Sequence, residues 1–155
     1  MSLANIFKIS SQGMTAQRER LEAAAANLAN ANTTRTPEGV PYRRRDTVFE
    51  AAPLETPNAT FGAVFDKSFE SSLSTDAPEG VQASTRLAEV GEFVRRYQPG
   101  HPDADAEGYV AMPNINAMEE MVDMLSAVRS YEANLATYNT TKSLIRKILD
   151  LGRGS

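Results

Sequence analysis

The sequence predicts a mainly α protein with a small β module. Long N- and C-terminal helices are expected to pair as a coiled coil, with an irregular β-containing middle domain between them. Two observations indicate this: apolar residues recur at heptad spacing at both ends of the chain, and turn-forming residues are concentrated in between. The 155 residues therefore divide into an N-terminal helix (1–34), a middle β/loop module (35–113) and a C-terminal helix (114–155).

The N-terminal helix is predicted over residues 3–31. Its heptad positions follow steps of three and four: Leu3, Phe7, Ser10, Met14, Gln17, Leu21, Ala24, Leu28 and Ala31. Gly13 costs such a helix about 1 kcal/mol relative to Ala, which favours close packing or a bend at that point. The helix should end near residues 30–34, where Asn and Thr side chains compete for backbone hydrogen bonds, and Pro37 prevents its continuation.

The C-terminal helix is predicted over residues 117–151, after Pro113. Asn116 and Glu119 form an Asn variant of the capping box. The heptad positions that follow are largely apolar or aromatic: Met121, Met124, Val128, Tyr131, Leu135, Tyr138, Lys142, Ile145 and Leu149. Glu119 and Glu120 are explained by the positive end of the helix dipole, and Gly152 and Gly154 should end the helix.

The middle module contains short strand candidates at residues 47–51, 81–90, 93–97 and 109–112. Residues 56–85 include nine Ser or Thr and are predicted to be a loop or flexible insert. We expect a small β module or an irregular flap here.

Composition excludes several classes of protein. The net charge of −4 argues against a general nucleic-acid binder, and the absence of Cys excludes disulfides and Cys-based zinc sites or nucleophiles. The N-terminus lacks the features of a cleaved secretory signal, and no apolar run approaches the ~18 residues that span a bilayer. We therefore expect neither a conventional secretory signal nor a membrane span.

Candidate chemical sites are few. His101 has no nucleophile in a recognisable setting and is interpreted as a turn or packing residue. The acidic run from Asp103 to Gly108 resembles the opening of a calcium loop, but position 12 is Asn114 where Glu is required, so a tight acidic turn is favoured. We predict no enzymatic activity, no metal and no cofactor.

Three consecutive arginines, Arg43, Arg44 and Arg45, follow Tyr42. Asp46 and Glu50 come directly after them, so a partner-facing strip of ion pairs is favoured over phosphate binding. The acidic middle of another copy is the expected counterpart.

Several motifs resemble the flagellar rod and hook axial protein family, and most closely its basal-body rod members. They are GMTAQ at 13–17, ANLANANT at 26–33, RTPEG at 35–39, PYRR at 41–44, YQPGHPDAD at 97–105, GYV at 108–110, PNIN at 113–116, EEM at 119–121 and RSYEAN at 129–134. Residues 52–90 match nothing in that pattern and are interpreted as a probable insertion.

The resemblance implies a structural subunit of the proximal rod, exported unfolded through the flagellar type III apparatus without a cleaved signal and located in the periplasmic part of the basal body. It implies helical assembly in which terminal helices form an inner tube that transmits torque for motility. Implied partners are other copies of the chain, FliE, FlgB, FlgF, FlgG and the export apparatus, with no nucleic acid and no direct membrane insertion.

The assembly interface is expected to comprise residues of both terminal helices and of the segment after the first: Met14, Leu21, Asn27, Leu28, Asn30, Asn32, Tyr42, Arg43, Arg44, Met121, Val128, Tyr131, Leu135, Tyr138, Ile145 and Leu149. Asn27, Asn30 and Asn32 are expected to bond across subunits or to cap the first helix.

Three alternatives stay open. The chain could be another member of the same axial family, an autonomous helical-hairpin adaptor that binds a partner helix, or a calcium-binding module. The adaptor would be a compact, protease-resistant monomer. A rod subunit would have labile ends around a resistant middle, because its terminal helices lack their partners in the free chain.

Overall fold

The computed structural model describes residues 3–53, 79–88 and 93–153. Within these ranges the chain forms α1 (Leu3–Ala29), β1 (Arg45–Pro53), β2 (Glu79–Leu87), β3 (Phe93–Tyr97), β4 (Tyr109–Pro113) and α2 (Ala117–Arg153). The two long terminal helices are in contact, and two small two-stranded sheets lie between them along the chain. This confirms the predicted fold class. None of the described helices is long and apolar enough to cross a membrane.

The ends of α1 and α2 follow from local sequence. Asn30 closes α1: its side-chain amide, over 2.9 Å, and its backbone amide, over 3.1 Å, both donate to the Ala26 carbonyl. Asn116 caps α2 by accepting from the Met118 backbone amide over 3.1 Å, and its own amide donates to Glu119. Gly152 does not end α2, which continues through it to Arg153, and Gly154, the other glycine expected to end the helix, lies outside the described residues.

β1 and β2 form an antiparallel hairpin that packs on α1. The register pairs Arg45 with Leu87 and Pro53 with Glu79. β1 is longer than the predicted strand at 47–51, whereas β2 begins two residues before the predicted strand at 81–90 and ends at Leu87. The expected loop at 56–85 is wrong for residues 79–85, which belong to β2. The rest of that predicted loop, with residues 89–90 of the predicted strand, lies outside the described residues.

β3 and β4 form a second antiparallel hairpin, pairing Phe93 with Pro113 and Tyr97 with Tyr109. The connecting turn needs glycine at 108, where φ is +85° and a Cβ would lie 2.9 Å from the Tyr97 ring. The rings of Tyr97 and Tyr109 meet edge to face, with centroids 5.3 Å apart. Val110 of β4 is buried.

α1 and α2 run antiparallel, with α1 between α2 and the β1–β2 hairpin. Phe7, near the start of α1, meets Tyr138 of α2 edge to face at 4.9 Å, whereas Arg20, further along α1, meets Asp123 near the start of α2. At about 1.5 Å per residue the 37-residue α2 is about 55 Å long, so it projects well beyond α1.

Candidate assembly interface

The most deeply buried part of the contact between α1 and α2 is built from small and polar side chains. Among the described residues, the buried apolar side chains other than Pro113 are alanines, together with one valine: Ala16, Ala23, Ala24, Ala83, Ala127 and Val110. Alanine lets two helices approach closely but removes little apolar area from water. The helices of one chain therefore pair without using most of its large apolar residues.

A polar cluster is buried where the end of α1 meets the start of α2. Asn27 is 1% exposed, and its amide donates to Glu120 Oε2 over 3.1 Å and to the Arg45 carbonyl over 2.9 Å. Its Oδ1 accepts from the Arg45 backbone amide over 2.8 Å and from the Tyr42 hydroxyl over 3.3 Å. Glu120, 2% exposed, also accepts from Arg44 Nε over 2.8 Å. The cluster thus ties α1, β1 and α2 together.

Burial and charge shift the ionisation of two members of this cluster. Burial raises the pKa of Tyr42, with a smaller opposing effect from the charge of Arg45. Burial alone would lower the pKa of Arg44, but its hydrogen bond to Glu120 and the charges of Glu120 and Asp46 raise that pKa above its ordinary value. Arg44 therefore keeps its charge beside the buried carboxylate.

Two further contacts cross between the helices. Arg20 holds Asp123 with both Nη2, at 2.5 Å from Oδ1, and Nε, at 3.4 Å from Oδ2. Gly13 faces Asn134 so closely that a Cβ on Gly13 would lie 2.7 Å from Asn134 Nδ2. The close packing expected at Gly13 is thereby confirmed.

The predicted apolar heptad of α2 lies largely on the outside of the molecule. Met121, Val128, Tyr131, Leu135 and Leu149 are between 37% and 61% exposed. We call these five residues the α2 stripe. The most buried column of α2 lies one position earlier: Glu120, Ala127 and Thr141 are buried and Asn134 is half-buried. The heptad repeat therefore predicted the helix correctly, but the face that it marks is adjacent to the one buried against α1.

The other expected interface residues of the helices are half-buried or polar. Those intermediate in exposure are Met14, Leu21, Leu28, Asn30, Tyr42, Tyr138 and Ile145. Asn30 caps α1, which is one of the two roles expected of it, and Asn32 is exposed. Asn27 does neither of the things expected of it, because its polar atoms bond within the chain.

Additional exposed apolar residues of α2 were missed by the sequence analysis. They form two short series with spacing of four and three: Met118, Val122 and Leu125, then Leu144, Ile148 and Leu151. That spacing is itself a helical signal and could have been found. Both series enlarge the apolar surface that α2 presents.

Two members of the arginine strip form contacts within the chain. Arg43 donates through Nε, over 2.9 Å, and through Nη2 to the Ala88 carbonyl. Arg44 binds Glu120 and, at 2.9 Å, Asp46, and its side chain is 40% exposed. Arg45 is exposed. The pairing of the strip with a second copy stays a prediction.

The acidic turn at 103–108 holds the β3–β4 hairpin to the segment after α1. Asp103 accepts from the Thr34 hydroxyl over 2.8 Å and lies 3.5 Å from Arg35. The His101 ring accepts from the Asp103 amide over 3.1 Å, which confirms a turn role for His101. These carboxylates face protein donors, and no cluster of three or more metal-ligating side chains occurs in the described part of the chain.

Asp105 organises the same turn. Its Oδ1 accepts from the backbone amides of Tyr109, over 2.8 Å, and Glu107, over 3.0 Å, and its Oδ2 from Arg95 over 2.5 Å. The Tyr109 amide, with a smaller contribution from Arg95, lowers the pKa of Asp105. The spacing of carboxylates that resembles a calcium loop therefore supports hydrogen bonds within the turn.

Comparison with known proteins assigns both ends of the chain to related families. Residues 7–35 match the family of flagella basal body rod proteins, and residues 106–151 match the C-terminal family of the flagellar basal body rod FlgEFG proteins. The chain is 41% identical over 153 residues to the flagellar basal-body rod protein FlgC of Escherichia coli O6:H1, covering 99% of this chain and 100% of that protein.

Two further relatives carry the same description. The Salmonella typhimurium protein is 43% identical over 155 residues and the Bacillus subtilis protein 37% identical over 157, each covering 99% of this chain and 100% of the relative.

Proposed function

Because the chain belongs to the FlgC family of flagellar basal-body rod proteins, we propose that it builds the proximal rod by polymerising through α1 and α2. It is a structural subunit of the basal-body rod, without enzymatic activity, and assembles with other rod proteins. The observation that supports assembly through the helices is the α2 stripe, whose large apolar side chains are exposed while the fully buried apolar side chains of α1 and α2 are alanines.

Burial of the stripe supplies the driving force for polymerisation. A fully buried Leu, Val or Met side chain contributes about 1.5–3 kcal/mol, so even partial burial of the stripe and of the two adjacent apolar series would be substantial. Torque would pass along many such helix contacts, each weak on its own. The 37-residue length of α2 lets one subunit reach several neighbours.

The finer placement of the subunit is part of the same proposal. Its neighbours would be other copies of the chain together with FliE, FlgB, FlgF and FlgG, in the periplasmic part of the basal body. The chain would reach that position through the flagellar type III export apparatus. The three-part division at 1–34, 35–113 and 114–155 assigns the terminal segments to assembly and the middle to the outer surface, and family membership supports this arrangement.

The adaptor alternative makes a different prediction for the free chain. A hairpin adaptor would resist protease throughout, whereas a rod subunit would lose the ends of its terminal helices that lie beyond the α1–α2 contact and keep a resistant remainder. Limited proteolysis followed by mass spectrometry distinguishes the two. The full-length similarity to rod proteins supports the rod function.

The proposal is tested in the flagellated host. Deletion of the gene should leave basal bodies with a membrane ring but no rod or hook in electron micrographs. Complementation with Leu135→Met should restore rods, because the side chain stays apolar, whereas Leu135→Glu should not. Intact rods with Leu135→Glu, in a strain that expresses only this variant, would contradict assembly through the stripe. Circular dichroism of both purified variants checks that the fold is retained.

A further inference from the structure

We propose that the buried polar cluster is a register lock: Asn27, Glu120 and Arg44 determine which turn of α1 lies opposite which turn of α2. This deepens the proposed rod function, because register decides where the α2 stripe stands relative to α1 and to the β1–β2 hairpin. The lock operates within one chain, so it can be tested without assembly.

Apart from the half-buried pair of Phe7 with Tyr138, the apolar part of the α1–α2 contact does not define a register by shape. Its buried members on α1 are Ala16, Ala23 and Ala24, and on α2 the central one is Ala127. Residues 23–26 of α1 are four consecutive alanines. Alanines are interchangeable when one helix slides by three, four or seven residues, since none of them fills a hole of its own shape.

The polar members, in contrast, are satisfied in one register. Asn27 bonds to Glu120 and to both backbone polar groups of Arg45, and Glu120 also holds Arg44. Sliding α2 would leave a buried carboxylate and a buried amide without partners, which is costly in a site with little water. The Arg20–Asp123 pair adds a second contact of the same kind.

These contacts recur at heptad spacing. Gly13, Arg20 and Asn27 are seven residues apart on α1, and Glu120, Ala127 and Asn134 are seven apart on α2. Each of the three α1 positions meets a polar residue of α2: Asn134, Asp123 and Glu120, respectively. A single polar residue in a heptad seam is known to specify register at the expense of stability, and buried ion pairs contribute little net stability compared with apolar substitutes.

The test measures register and stability separately in the free full-length chain. Because the chain contains no cysteine, Thr15→Cys and Lys147→Cys introduce two spin labels at exposed positions of α1 and α2. These positions are about 22 Å apart along the helix axes, so a slide of one helix changes the distance between the labels. Pulsed electron resonance then gives the distribution of label-to-label distances. The parent should give one population. A slide of four or seven residues changes the axial offset by about 6 or 10 Å.

The informative variant replaces the ion pair with apolar residues, Glu120→Leu with Arg44→Met. The proposal expects a thermal midpoint equal to or above that of the parent and a second distance population displaced by one or two helical turns. The control, Arg18→Met with Glu22→Leu, removes a salt bridge that lies within α1 and should leave one unshifted population. Neither the thermal midpoint nor the distance between the labels depends on assembly, so both results would stand if the rod proposal failed.

One unshifted population in the apolar variant would overturn the proposal, whatever its midpoint. Loss of the folded state in that variant, or a lowered midpoint without a second population, would overturn it too, because the cluster would then be a source of stability only. A parent chain that already shows several populations would contradict the lock directly.

Discussion

Asn27 Nδ2 donates to Glu120 Oε2 over 3.1 Å, joining two almost fully buried side chains that are 93 positions apart in the chain. Each of them belongs to a different terminal helix, and each also bonds to the segment where β1 begins. The contact therefore fastens the three parts of the fold at one point. It also places polar side chains in the interior of the subunit, whereas large apolar side chains of α2 are exposed on its surface.

Truncation of the carboxylate should destabilise the chain strongly. Glu120→Ala leaves one buried amide hydrogen of Asn27 without a partner and Arg44 with Asp46 alone, and we expect the free energy of unfolding to fall by about 2 kcal/mol. Glu119→Ala, at the neighbouring exposed position, should cost less than about 1 kcal/mol. Urea denaturation followed by circular dichroism measures both. Equal effects would contradict the role assigned to Glu120.

The close approach at Gly13 predicts a coupling with Asn134. Gly13→Ala gains about 1 kcal/mol of helix propensity, but its new Cβ would lie 2.7 Å from Asn134 Nδ2 and must displace that side chain. In an Asn134→Ala background the asparagine side chain no longer blocks the new Cβ. We expect the stabilisation by Gly13→Ala to be at least about 0.5 kcal/mol greater there than in the parent, measured as a double-mutant cycle. Additive effects would show that the helices do not approach closely at this point.

Alanine substitutions at three glycines distinguish the cost of backbone strain from the cost of steric contact. Gly108→Ala meets both a positive φ and the Tyr97 ring, and should cost about 2 kcal/mol or more. Gly39→Ala meets a positive φ of 79° with open space around it, so it should cost about 1 kcal/mol. Gly100→Ala meets neither and should be close to neutral. Thermal unfolding of the three variants should follow this order, and a Gly100→Ala cost equal to that of Gly108→Ala would refute it.

The acidic turn predicts a pH effect of known sign. The pKa of Asp105 lies below its ordinary value of 3.8, chiefly because the Tyr109 amide donates to its carboxylate. A depressed pKa in the folded state means that the contribution to stability is present above pH 3.8 and is lost as the pH falls through the folded value. The amide resonances of Tyr109 and Glu107 should titrate with that low midpoint, and Asp105→Asn should abolish the titration. A midpoint at or above 3.8 would contradict the hydrogen bonding described.

Much of the secondary structure could be predicted from the sequence, because heptad spacing and turn residues act locally. α1 begins at the expected residue, and β3 matches the predicted strand throughout. The capping residues Asn30 and Asn116 also act on their own helix ends. Gly152 failed as a stop because one glycine costs a long helix only about 1 kcal/mol.

The buried face could not be predicted in the same way. A search for apolar periodicity finds the α2 stripe, which the free chain leaves exposed, and passes over a column made of Glu120, Ala127, Asn134 and Thr141. Glu120 had a sufficient local explanation in the helix dipole, so nothing in its neighbourhood indicated burial. Its partners Asn27 and Arg44 are 93 and 76 positions away, and only the folded chain brings them together.

Burial of the α2 stripe on assembly can be measured directly, since the chain contains no cysteine of its own. Leu135→Cys and Val128→Cys would be introduced into the host gene, with Glu38→Cys in the exposed turn after α1 as the comparison for reagent access. Maleimide labelling is then compared between the purified free chain and isolated basal bodies. We expect both stripe positions to label readily in the free chain and at least tenfold more slowly in assembled rods. Equal labelling of Leu135→Cys and Val128→Cys in the two states would show that the stripe stays in solvent, and that the rod is built through another surface.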